Sequence, residues 1–274
     1  MKRALFAVML LLINAGVVQG ETNNVQITDV VFTAGCDGTE QRYVLVLPAG
    51  FKAEQSHDLL IALHGHGSDR WQFVRDPRAE CRAARDVAAE HDMIYVSPDY
   101  RAKTSWMGPK AEADLLQIIS DLKKKRRVSR VFLCGGSMGG TACLTFAALH
   151  PEVVDGLASM NGTANLVEYA GFPDAIAASF GGSKAAVPGE YRKRSAEFWP
   201  QRFTMPVGIT ASGQDGTVPP QSVVRFAKVL KAQSRDVLLI YREKMGHSTQ
   251  YDDARAIIEF VLQKARTTNG PKTR

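Results

Sequence analysis

Ser137 lies inside Gly135-Gly136-Ser137-Met138-Gly139, directly after the apolar run Arg130-Val131-Phe132-Leu133-Cys134 and directly before a helix-like stretch. Glycines two residues before and two after a serine suit a sharp strand-to-helix elbow, where a Cβ would strike the neighbouring strand or helix. A serine hydroxyl is a poor nucleophile until a base within hydrogen-bond reach takes its proton. His247, in Gly246-His247 after the run Val237–Tyr241, is the candidate base. Asp215, in Gln214-Asp215-Gly216-Thr217-Val218-Pro219, is the candidate to orient that imidazole and stabilise its charged form. The chemistry such a set performs is acyl transfer through a covalent acyl-enzyme. Taken singly, Asp215 also fits a turn, because Asp-Gly is a common turn pair, and His247 also fits a surface histidine. Their joint placement at strand ends, in the order Ser, Asp, His, argues for chemistry.

Acyl transfer builds negative charge on an oxygen, best met by pre-aimed backbone N–H groups. Met138 offers one from the first turn of the helix after the serine. His66, in His64-Gly65-His66-Gly67 after the run Asp58–Leu63, is the expected second donor, with Gly65 and Gly67 as neighbours able to take that role. His64 is read as orienting this loop. His57, His91 and His150 sit at element edges, away from the other signals, and Asp99 is the alternative acid. The segment Tyr100–Gly108 leaves the C-terminal end of a strand, where open α/β sheets bind ligands. Trp106 within it is expected to stack on a sugar or an aromatic acid. A tryptophan of the core or rim, with no ligand, is equally compatible.

These groups need strand ends to hold them. Residues 26–32 and 42–48 alternate like half-buried strands around a Gly35–Gly38 turn, predicting an antiparallel hairpin. From residue 58 apolar strands alternate with helical patterns, as in a parallel sheet covered on both faces. Strands are predicted near 58–64, 93–98, 130–135, 156–161, 206–212 and 237–242, and helices near 77–91, 111–126, 137–149, 219–233 and 248–266. Residues 163–200 are read as one long irregular connection shaping the substrate entrance.

Lys2 and Arg3, the apolar stretch Ala4–Val18 and the small residues near Gly20 form the pattern of a secretory signal over residues 1–20. The apolar stretch falls short of the roughly 20 residues a membrane span needs. The predicted organisation is therefore a signal peptide, an α/β domain over 21–266 and a disordered basic tail over 267–274, in a secreted or periplasmic protein. Removing residues 1–20 leaves 32 basic against 28 acidic side chains, a mild excess that gives no reason to expect nucleic acid as partner. The run Lys123–Arg127 closes a predicted helix, where cations complement the helix dipole. Cys134 and Cys143 read as small buried hydrophobes, whereas Cys36 and Cys81 have the even count that permits a disulfide. No cysteine–histidine spacing suggests a metal site, and no cofactor is expected.

The motifs His64–Gly67, Gly135–Gly140, Asp215–Pro219 and Gly246-His247 together resemble the α/β-hydrolase superfamily over about residues 41–262. Within it the chain is most similar to the secreted carbohydrate-esterase and polyhydroxybutyrate-depolymerase-like branch, which includes feruloyl and acetylxylan esterases. The Gly-Gly-Ser-x-Gly-Gly form also resembles the catalytic domain of prolyl-oligopeptidase-like serine peptidases. The resemblance implies an α/β-hydrolase fold with nucleophile Ser137, acid Asp215 and base His247, and a small-molecule or polysaccharide ester as substrate. Peptide and polyhydroxyalkanoate cleavage are its alternatives. The corresponding loop in esterases is often wholly glycine-rich, and His66 departs from that pattern.

Overall fold

The computed structural model describes residues 24–268. Strands β1 (Gln26–Thr33) and β2 (Glu40–Leu47) pair antiparallel around the Gly38 turn. The chain then lays down β3 (His57–Leu63), α1 (Gln72–Arg75), α2 (Ala79–Glu90), β4 (Ile94–Pro98) and α3 (Pro109–Lys125). It continues through β5 (Val128–Gly136), α4 (Met138–Leu149) and β6 (Gly156–Met160). The remaining elements are α5 (Pro173–Phe180), α6 (Pro188–Lys193), β7 (Val207–Ser212), α7 (Gln221–Ala232), β8 (Val237–Arg242) and α8 (Tyr251–Thr268). The eight strands form one sheet in the order β1-β2-β4-β3-β5-β6-β7-β8, parallel from β4 to β8.

Alternation along each strand divides the core into two layers. Leu59, Ile61, Leu63, Val131 and Leu133 pack on one face with residues of α3, α4 and α7. Leu60, Ala62, Phe132 and Cys134 pack on the other with α2 and α8. Burial on both faces explains why these strands read as unbroken apolar runs. The fold is that of the α/β-hydrolases, as the motifs implied, and every strand and long helix lies within a few residues of its predicted place.

The 163–200 connection differs from expectation. It holds α5, α6 and two 3₁₀ turns at Ala196–Phe198 and Pro200–Arg202. Arg194, 1% exposed, ties it down: its guanidinium donates to Met107 O at 2.7 Å, Glu112 at 2.7 Å and Glu190 at 3.1 Å. The insertion is thereby fixed to α3 and to the loop before it. All four cysteines are free, with Cys36 exposed and Cys81, Cys134 and Cys143 buried. The predicted signal segment lies outside the described residues, as does the tail beyond Thr268, up to which α8 continues. Among the described residues no helix is long and apolar enough to cross a membrane.

Candidate active site

Ser137 directly follows β5 and caps α4 with φ 58° and ψ −119°, a region that non-glycine residues seldom occupy. The turn closes because its flanks carry no side chains. A Cβ on Gly135 would lie 2.6 Å from the Gly139 carbonyl carbon, and one on Gly139 would overlap the Leu63 carbonyl. Ser137 N–H donates to Met160 O at 2.8 Å, locking the elbow to the end of β6. Its half-buried side chain is left facing the ends of the parallel strands.

His247 arrives from the loop after β8, and its Nε2 stands 2.9 Å from Ser137 Oγ. The other ring nitrogen, Nδ1, lies 2.7 Å from Asp215 Oδ2. An ionised carboxylate only accepts, so Nδ1 carries the hydrogen and Nε2 is free to receive the serine proton. Asp215 is 5% exposed, and its Oδ1 accepts the N–H groups of Thr217 at 2.9 Å and Val218 at 2.8 Å. The turn role and the site role of this aspartate therefore coincide. The three predicted side chains are in register for proton transfer from hydroxyl to imidazole to a carboxylate-stabilised cation.

Asn161 is the residue that sequence reasoning missed. It follows β6 with φ 48° and is 5% exposed. Its Nδ2 reaches Ser212 Oγ at 3.2 Å and Ser248 O at 3.1 Å, with Asp215 Oδ2 at 3.5 Å, while its Oδ1 accepts from Thr210 and Thr249. One amide thus joins the strand before the aspartate to the loop carrying the histidine. The left-handed backbone that asparagine tolerates is the only local signal that could have found it.

In the loop after β3, Gly65 N–H donates to Gln72 Oε1 at 2.7 Å and Gly67 N–H to Lys103 O at 2.8 Å. Both neighbours have committed their donors, which leaves His66 N–H as the one available of the three. Met138 is the first residue of α4, so its N–H has no acceptor within the helix. Asp99 gives its carboxylate to Arg70, by bonds of 2.9 Å from both Arg70 N–H and Nη1. His64 is fully buried between the carbonyls of Gly65 and Asp99, in keeping with an orienting role, and burial holds its imidazole below the usual histidine range.

Trp106 requires a correction. It is fully buried, packed against Tyr169 and Phe172, so neither face is open to a substrate ring. Its Nε1–H donates instead to His66 Nδ1 at 3.1 Å. That bond makes Nδ1 an acceptor and leaves the ring's hydrogen on Nε2, and burial lowers the pKa of this imidazole, favouring the neutral form. The aromatic wall nearest the loop is Phe172, whose ring centre lies 4.1 Å from that of His66. A recess of about 250 Å³ beside the serine is walled by Ser137, His247, Gly136, Gln72, Arg78 and Glu80, among others.

The model of the prolyl oligopeptidase family matches residues 84–266, which contain Ser137, Asp215 and His247. The chain belongs to the prolyl oligopeptidase family. That family is one of serine hydrolases with the α/β-hydrolase fold. No curated protein matches the sequence significantly. Among solved structures, the chain is similar to FphF, a fluorophosphonate-binding serine hydrolase of Staphylococcus aureus. The TM-score is 0.68 at 17% identity, covering 86% of this chain and 98% of that one. It is also similar to an S-formylglutathione hydrolase from Agrobacterium tumefaciens, with TM-score 0.68, 16% identity and coverage of 93% and 99%. The acylaminoacyl peptidase of Pyrococcus horikoshii matches with TM-score 0.65 and 17% identity, over 91% of this chain. This prolyl oligopeptidase family member spans 42% of that peptidase's length, and 36% of a Bacteroides ovatus dipeptidyl aminopeptidase IV-like chain. At these identities the likeness speaks to the fold.

Proposed function

We propose that this protein is an exported hydrolase of carboxylic esters, acting on acyl or hydroxycinnamoyl esters of carbohydrate through Ser137, His247 and Asp215. The observation that carries the reading is the unbroken hydrogen-bonded chain from Ser137 Oγ through His247 to Asp215. Ser137 Oγ attacks the ester carbonyl while His247 Nε2 takes its proton. The oxyanion is met by the backbone N–H groups of Met138 and His66. His247 then hands the proton to the departing alcohol, leaving an acyl-enzyme that water hydrolyses by the same steps in reverse. Phe172 offers an apolar wall to a flat acyl group. The signal-like residues 1–20 support a secreted or periplasmic location.

Peptide cleavage is the second reading, favoured by the family to which the chain belongs. Both use the same triad and differ in leaving group. The deciding experiment is a panel comprising acetylated xylan, methyl ferulate, a feruloylated arabinoside and Pro- or Ala-linked chromogenic peptides. Higher kcat/KM on a carbohydrate ester than on every peptide is expected. A peptide amide cleaved as well as the best carbohydrate ester transfers the assignment to the peptidase reading.

A further inference from the structure

Glu80 stands in the wall of the recess beside Ser137 and His247 without serving the hydrogen-bonded chain just described. It is the second residue of α2, and a Cβ on Gly136 would lie 3.7 Å from its Cγ, which places it against the residue before the serine. Its side chain is only 17% exposed, yet among the described residues none donates a hydrogen bond to the carboxylate. The nearest charge, Arg78 Nη1, is 4.0 Å away. Arg78 in turn commits Nε and Nη2 to Asp76, at 2.9 and 2.6 Å, which leaves Nη1 facing Glu80.

A shielded carboxylate in this setting relies on solvent in the recess for its hydrogen bonds. Filling the recess with an apolar group would strip that solvent and return no donor, a desolvation cost that binding must bear. A group bringing its own donors suffers no such loss. Arg78 beside Glu80 disfavours a second cation, and the pair offers one acceptor and one donor side by side. Neighbouring hydroxyls of a sugar present the complementary set. The recess also borders His247, which hands its proton to the departing alcohol, so that alcohol must rest against a ring that lines the recess.

We propose that Glu80, assisted by Arg78, is the specificity residue for the alcohol half of the substrate, accepting hydrogen bonds from sugar hydroxyls. This rests on the ester-hydrolase reading above and adds where the sugar sits and what reads it.

The test compares a feruloylated arabinoside with methyl ferulate, which share an acyl group and differ only in the alcohol. The readout is the ratio of their kcat/KM values, in the full-length mature protein and in Glu80→Leu and Glu80→Gln. Losing hydrogen bonds to a charged group lowers the ratio by about 10- to 100-fold in Glu80→Leu, and by less in Glu80→Gln, which keeps one acceptor and the side chain's shape. An unchanged ratio in both folded variants, with the parent still preferring the arabinoside, overturns the Glu80 assignment and leaves the ester reading standing. A parent that cleaves neither ester overturns both. Glu80 dependence that follows an aminoacyl ester instead of the arabinoside assigns the recess to an ammonium and overturns the sugar assignment.

Discussion

Under the proposed mechanism, truncating Ser137 or His247 to alanine removes the nucleophile or its base, and because members of such a triad act as a unit each change should cost on the order of 10⁴-fold in turnover. The same steady-state assay separates Asn161 from them. Asn161→Ala leaves the three groups present but frees the loop around Ser248, so kcat should fall by about 10²-fold, the scale of a 1 Å misplacement, with KM little altered. A KM effect without a kcat effect would assign Asn161 to substrate binding. The meeting of Ser137, Asp215 and His247 was legible in the sequence because each follows a readable strand, and the turn chemistry around each is local. Asn161 was not, since its function arises only when the ends of β6 and β7 and the His247 loop meet. The position of Trp106 on a ligand-binding edge was legible, but its burial was not. That depends on Tyr169 and Phe172, which arrive from more than 60 residues away.

At the scale of elements, the segment between β6 and β7 is tied to α3 by a buried ion network centred on Arg194. Arg194→Met should destabilise the fold by about 3 kcal/mol in denaturant unfolding, because Glu112 keeps its shielded charge and loses one of its two partners, His150 alone remaining. Burial raises the pKa of Glu112, but the bonds from His150 and Arg194 outweigh it and bring the value down to about 2. A carboxylate held below its unfolded value contributes stability that is complete above about pH 4.3 and is lost as pH falls toward 2. Unfolding measured between pH 2 and 6 should show this slope, and Glu112→Gln should flatten it; an equal slope in the variant would place the acid sensitivity elsewhere. Helices of eight and six residues, α5 and α6, show too little periodicity to read and are too short to hold by propensity alone. The sequence therefore suggested a loop where packing makes helices.

For the whole molecule, the parallel sheet was legible because burial on both faces leaves continuous apolar strands between amphipathic helices. The order of the strand ends then delivers the His64–Gly67 loop, the serine, the aspartate and the histidine to one edge. Substrate choice was less legible, since the surfaces around the site are assembled from distant segments, with Phe172 coming from the 163–200 connection and Glu80 from α2. The central claim, that this edge makes Ser137 an acylated nucleophile, is tested most directly by labelling the intact protein with a fluorophosphonate and mapping the adduct by mass spectrometry. A single adduct on Ser137, absent in Ser137→Ala and strongly slowed in His247→Ala, is the predicted result. An adduct on another residue, or an active enzyme that leaves Ser137 unlabelled, would contradict the account.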